Sequence, residues 1–348
     1  MPLLLSRDDL EIVVVTDREG PNYERVKWVW PRGIWARLGR LGGRLPLLLG
    51  EIFHPQTRLV MAYNIVPHGL FAVVLAKLRR VPVYLHFIGG EAEINFADNV
   101  LVSDNRLINR TRNPHRLEKF VRRVAFCADK IFVPGHNTED YLLANGFHPE
   151  IVVKLHSTID PERFFPSDQE RDIDVIVAAQ IRERKQPLFV LEIFREILNL
   201  RPETKFCWLG DGALHDEFAA TLDRLQLRDS VTWRETNEVA EYYRRSKVFL
   251  LCSLREGLSL ASMEAMRCGM PVIASDCGDM SDTVLTGETG QLMPKNATKD
   301  QYVDAVMGYL NNPAELERQS KNAFDIINKE HTFPVATDIW KEILDTLA

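Results

Sequence analysis

At 348 residues the chain exceeds the roughly 250–300 residues that one hydrophobic core usually supports, so two domains are expected. Its 45% hydrophobic and 26% charged residues, with 19 Gly and 18 Pro, exclude a collagenous, coiled-coil or largely disordered chain. The net charge of −6 is divided unevenly, with 22 Lys and Arg against 18 Asp and Glu through residue 166 and 21 against 31 beyond it. So small and dispersed a basic excess argues against a nucleic-acid partner and leaves room for an anionic one at the first half.

In chain order, short β-branched runs at 11–16, 58–64, 81–87, 130–134 and 151–155 alternate with helical periodicity near 33–53, 69–79, 114–127 and 138–146. A polar, proline-containing stretch near 161–171 follows, then a second series of strands at 174–179, 205–209, 231–233, 247–251 and 271–275. Helical patterns near 187–199, 213–226, 238–246, 259–268 and 299–311 separate them. Alternation of this kind predicts parallel sheets with crossover helices, hence two doubly wound α/β domains. The expected boundaries are 1–165 and 166–329, with a helix near 330–348 packing back on the first domain.

The five cysteines, Cys127, Cys207, Cys252, Cys268 and Cys277, form no C-x-x-C and mostly sit in apolar runs or beside Gly, as buried free thiols in a reducing compartment do. The opening residues show neither a basic lead nor a small-residue cleavage site, and the longest apolar stretches fall short of the roughly 20 residues of a membrane span. A cytoplasmic protein is expected.

In doubly wound sheets the ligand lies beyond the carboxyl ends of the strands. In the second domain those positions read Gln180-Ile181-Arg182-Glu183-Arg184-Lys185, Gly210-Asp211-Gly212, Ser253-Leu254-Arg255-Glu256-Gly257 and Asp276-Cys277-Gly278-Asp279, which brings cations, carboxylates and flexible backbone to one edge. Gly257 permits a tight turn, and a helix starting near Ser259 presents free N–H groups and the positive end of its dipole, a phosphate site. Glu256 and Glu264 stand eight apart. With Glu256 in the loop and Glu264 in the second helical turn, both reach one ligand, and a carboxylate suits a sugar diol because it accepts two directed hydrogen bonds. The plainer alternative is that both carboxylates simply serve the helix dipole or a solvated face.

The run from Glu256 through Gly269-Met270-Pro271 to Ser275, followed by Gly278 and Thr286-Gly287-Glu288-Thr289-Gly290, resembles the donor-binding segment of family 4 glycosyltransferases, retaining enzymes of the GT-B fold. Trp208-Leu209-Gly210-Asp211-Gly212, the segment 158–164 and the segment 333–340 match in order, so the resemblance covers most of 130–345. It implies that Glu256 contacts donor-sugar hydroxyls, Glu264 holds the ribose, Leu258, Ser259 and Leu260 cradle the diphosphate through their backbone, and Lys185 neutralises it without a metal. Base recognition is expected near 233–236. The family usually has Arg where this chain has Gln180; Arg182 and Arg184 are the candidates to substitute for it, the alternatives being a donor phosphate held differently or low activity, and Asp282 stands where Glu is usual.

In the first domain the resemblance places His86 near the reacting sugar, with Gly89 and Gly90 allowing close backbone approach and Glu91 beside them. A structural histidine is the alternative for His86. The loop after the first strand is Gly-rich in the family, whereas Gly20 is the single usable glycine of 16–21 here. Two basic, partly apolar segments, 32–44 and 106–123, suit an interfacial helix, as a lipid-linked acceptor would require, or else ordinary packing on the sheet.

No P-loop, nucleophile elbow, H-E-x-x-H or cysteine–histidine cluster with zinc spacing is present. The expected function is therefore transfer of a sugar, with retention, from a nucleoside-diphosphate sugar to a glycan or lipid-linked hydroxyl, with no cofactor and no metal. The alternatives are a nucleotide-sugar-binding or assembly protein with an eroded site, and a GT-B phosphorylase or epimerase.

Overall fold

The computed structural model describes residues 3, 6–97 and 105–345; the expected helix end at 346–348 and most of the opening pentapeptide lie outside the described residues. The chain begins with β1 (Ile12–Val15) and β2 (Val26–Val29), paired in parallel as a two-stranded sheet of their own. The sequence expectation had β1 within the main sheet and no strand at β2. Lys27 interrupts the apolar run of β2, and among the described residues neither strand bonds to the larger sheet.

The expected helix at 33–53 divides into a 3-10 segment at Gly33–Leu38 and α1 (Gly39–Ile52), with Gly39 at φ +74° between them. Next come β3 (Val60–Tyr63), α2 (Leu70–Arg79), β4 (Val83–His86), α3 (Pro114–Ala125), β5 (Lys130–Val133), α4 (His136–Ala144) and β6 (Val152–Lys154). The sheet is parallel in the order β3-β4-β5-β6. Its strands are apolar on both faces, as strands covered on both sides must be: Val60, Ala62, Val83, Leu85, Ile131 and Val133 face one core, and Tyr84 and Phe132 the other.

The second half runs β7 (Ile173–Ala178), α5 (Pro187–Leu200), β8 (Phe206–Leu209), α6 (His215–Arg224), β9 (Val231–Arg234), α7 (Val239–Arg244), β10 (Ser246–Leu251), α8 (Leu260–Arg267), β11 (Val272–Ser275), β12 (Gly290–Met293) and α9 (Lys299–Leu310). The chain then forms α10 (Pro313–Glu330) and α11 (Phe333–Asp345). The parallel six-stranded sheet has the order β12-β11-β10-β7-β8-β9. The chain thus builds outward from β7 in one direction and then from β10 in the other, which makes the β7–β10 gap the topological switch point. Val175 and Trp208 pack under α5 and α9, while Ile176 and Phe249 pack under α8 and α10.

Local signals set the helix starts. Pro187 opens α5, Thr298 and Gln301 form a reciprocal capping box on α9, and Asn312 caps α10 ahead of Pro313. Neither β12 nor α10 was expected. The buried residues of α10 are only Gln319, Ala323 and Ile327, too faint an apolar stripe to stand out in sequence.

α11 leaves the second half and lays Trp340, Ile343 and Leu344 on Tyr84 and Phe132 of the first sheet. The five cysteines are free, with Cys127 exposed and the other four buried. No described helix is long and apolar enough to cross a membrane.

Candidate active site

The loops after β7 and β10 meet at the switch point. Glu256 follows β10 with its side chain only 8% exposed; Lys185 pairs with its Oε1, and Arg184 Nη1 lies 3.3 Å from its Oε2. A carboxylate so buried requires such partners. Lys185 and Arg184 sit in a 3-10 turn that ends at Gln186, held at φ +46°, just before α5. Two backbone-directed bonds fasten the turn: the Leu254 N–H donates to the Arg184 carbonyl at 2.9 Å, and Arg184 Nη1 donates to the Arg255 carbonyl at 3.1 Å. Arg184 is thus the cation that joins Lys185 at Glu256. Gln180 is exposed, and the half-buried Arg182 sits between it and this turn.

Beyond Glu256 the backbone tightens. A Cβ at Gly257 would collide with the Ile88 carbonyl oxygen of the first half, so only glycine lets the two loops touch. Ser259 caps α8, its Oγ accepting from the Ser262 N–H at 3.2 Å, while the earlier N–H groups of that first turn have no carbonyl of the helix to bond. Leu258 is buried and Leu260 is exposed. Gly210, at φ +128°, and Gly212 pack against the Ala179 and Ile181 carbonyls, bringing the loop after β8 beside the loop after β7.

Glu264, one turn into α8, has a different environment. It is half-buried, bonds to Tyr243 and lies near Arg163; burial pushes its carboxyl up to about 7, with both neighbours opposing the rise. Tyr243 and Arg163 were not singled out in the sequence, because they lie on α7 and in the segment before β7, far from α8 in the chain.

The structure places His86 in a ring stack at the end of β4. The imidazole stacks on Tyr63 at 4.4 Å and lies 4.6 Å from Phe132 and 5.9 Å from Trp340. Burial pushes it down to about 4, which keeps it neutral at pH 7. Ile88 of that loop reaches the second half through its carbonyl at Gly257. At Gly20 a Cβ would strike the Trp28 ring, and Trp28 Nε1 donates to the Pro21 carbonyl at 2.8 Å, so the loop is folded down on β2.

Gly90, at φ +66°, fits where a Cβ would lie 2.9 Å from Thr138 Oγ1 and 3.4 Å from Asp279 Oδ2. Glu91 follows it, half-buried, while Gly89 donates its N–H to Glu93 at 3.3 Å. Arg255 Nη2 donates to the Ala92 carbonyl at 2.7 Å, a further bond across the crevice. A second bridge forms at the start of α4. Asp279 accepts from the Thr138 N–H at 2.9 Å and from its hydroxyl, and Asp282 accepts from the His136 N–H at 3.1 Å and contacts its Nδ1 at 2.8 Å. Asn137 Nδ2 donates to the Gly278 carbonyl at 2.7 Å. This fastening was not foreseen, since its partners stand some 140 positions apart.

Among the described residues the crevice gathers no metal-ligating trio; the one such group, His156, Glu330 and His331, lies where the chain crosses between the halves.

Residues 159–325 match the family described as Glycosyl transferases group 1. A D-inositol 3-phosphate glycosyltransferase of Kribbella flavida is 26% identical over 297 residues, covering 73% of this chain and 70% of that one. Other curated relatives are matched over less than half of their own length. Among solved structures, a sucrose-phosphate synthase from Thermosynechococcus elongatus superposes with a TM-score of 0.78 at 16% identity, covering 99% of this chain and 91% of that one. Anabaena HepE, in complex with UDP and glucose, gives 0.75 at 15% identity, with 96% and 91% covered. These likenesses show the two-domain GT-B fold.

Proposed function

We propose that this chain, whose residues 159–325 match the glycosyl transferases group 1, moves a sugar from a nucleoside-diphosphate sugar to a hydroxyl acceptor, with retention and without a metal. The observation that carries this reading is the buried Lys185–Glu256–Arg184 cluster at the switch point, beside the start of α8. Cleavage of the bond from the anomeric carbon to the phosphate oxygen puts negative charge on the leaving diphosphate. Lys185, Arg184 and the first-turn N–H groups of α8 are fixed donors that lie ready for that charge. Glu256, held by the same cations, accepts from sugar hydroxyls, and Glu264 in its ionised form accepts from the ribose diol.

For retention we favour a same-face route. The acceptor oxygen bonds to the anomeric carbon as the phosphate oxygen departs, and that oxygen takes the acceptor proton. On this reading His86, neutral at pH 7, lines the reacting face. The relative with UDP and glucose bound supports a UDP-sugar as the first donor to test.

On the acceptor side, Arg116, Lys119, Phe120 and Arg123 form an exposed face of α3, and Trp35 and Leu38 are exposed ahead of α1. The side chains of Ile34, Arg40, Leu41 and Arg106, within the two basic segments, lie outside the described residues. A cationic face with an aromatic at its centre favours an acceptor at an anionic membrane surface.

The test is calorimetric binding of UDP-, GDP-, ADP- and CMP-sugars without metal, on wild type, Lys185→Ala and Glu264→Ala. Selective binding of one donor, weakened by both substitutions, supports the reading; no binding to the folded wild type overturns it. Binding without turnover on any acceptor would favour the eroded-site alternative that exposed Gln180 raises, and an inverted product would sink the same-face route.

A further inference from the structure

The chain crosses between the halves twice, once after β6 and once between α10 and α11, and the crossings lie against each other: the Ile159 N–H donates to the His331 carbonyl at 3.0 Å. Beside that bond are three potential ligands. One ligand atom each from His156, Glu330 and His331 lies within 4.8 Å of the other two, and the two imidazole centroids are 5.0 Å apart. We propose that these three side chains bind a zinc-like divalent cation that pins the two crossings together.

The ring chemistry supports this. His331 is buried, and its Nδ1 sits 2.9 Å from the Ser157 carbonyl, an acceptor only, so Nδ1 carries the proton and Nε2 keeps its lone pair. A ligating imidazole is commonly oriented in this way, its second nitrogen bonded to a backbone carbonyl. His156 Nδ1 is buried without a hydrogen-bond partner, a state that coordination would relieve. Burial lowers the proton affinity of both imidazoles, which leaves them in the neutral form that metals require.

Two imidazoles and a carboxylate leave a fourth position for water, a donor set that suits zinc and disfavours magnesium or calcium. The Glu330 side chain is 38% exposed, so an ion can enter from solvent, and its pairing with Lys329 at 3.8 Å is weak enough to yield. Lys154 is the nearby opposing charge; its ammonium is engaged by His136 at 2.8 Å, and Asp282 offsets it.

The site shares no residue with the donor crevice, so its test needs no donor. Full-length protein stripped with a chelator is titrated with Co2+, then with Zn2+ in competition, for wild type, His156→Ala and Glu330→Gln, with His148→Ala as control. The expected result is one equivalent of Co2+ with visible d–d absorption of a four-coordinate ion, displaced by Zn2+. Each of the two site variants should bind Zn2+ at least about 10-fold more weakly, with the control unchanged. Absence of the band in folded wild type, or wild-type affinity in both variants, overturns the proposal. Metal-free melting curves establish that the variants are folded; because neither His156 nor Glu330 is fully buried, both substitutions can be read in intact protein.

Discussion

Two of the helices that start at the crevice, α4 and α8, have N-termini treated in opposite ways. At α4 the His136 and Thr138 N–H groups are already bonded to Asp282 and Asp279, carboxylates of the other half. At α8 a serine cap satisfies one donor, glycine precedes it, and lysine and arginine stand beside it on Glu256. A helix N-terminus is an anion site by default, and the surrounding residues decide whose anion fills it. The first joins the halves; on our reading, the second receives a diphosphate.

The comparison predicts separable defects. Lys185→Ala should cost the most, lowering turnover by about 10²–10³-fold, as steady-state kinetics will show, while Arg184 keeps the buried Glu256 paired. Asp279→Ala should act on stability instead. It strands the buried Thr138 donors and should cost about 1–3 kcal/mol of stability in urea titrations, with only modest loss of donor affinity. Donor binding lost as completely in Asp279→Ala as in Lys185→Ala would break the distinction.

Glu264 gives a pH signature of similar size. Its folded value of about 7 lies above the ordinary value of 4.5, so the folded state holds the extra proton between those limits. That contribution is fully present below the unfolded value and is lost as pH rises through the folded one. Wild-type stability should therefore fall by no more than about 3 kcal/mol between pH 4.5 and 7, and Glu264→Gln should flatten the slope. A profile unaltered by that substitution would contradict this account of the carboxyl.

The smallest effect concerns α3. Charge reversal at Arg116, Lys119 and Arg123 should abolish co-sedimentation with anionic vesicles in low salt and leave folding intact. If wild type fails to co-sediment at low and moderate salt, the membrane reading is lost.

The β-branched runs announced ten of the twelve strands among the described residues, chiefly because strands covered on both faces are continuously apolar. β2 and β12 escaped: Lys27 interrupts one, and the other opens on glycine with Gln291 inside it. The Glu256 segment was legible because its loop, glycine and helix start are contiguous. The ring stack of His86 was not legible because sequence gives a strand's end but not the face a ring will take; here β4 turns it toward Trp340 of α11. Arg184 was one of two candidate cations, and only the fold of the 183–185 turn distinguishes it from Arg182. Pairings such as Asp279 with Thr138, or His156 with His331, depend on how the two halves meet, and no local pattern encodes that.

The return of α11 to the first sheet has a practical corollary. The backbone could be severed in the exposed stretch around residues 167–170 without freeing either piece, because Trp340, Ile343 and Leu344 would still grip Tyr84 and Phe132. Fragments expressed separately on either side of that stretch should therefore find each other and reconstitute a working whole, which would make this chain a natural substrate for two-piece complementation.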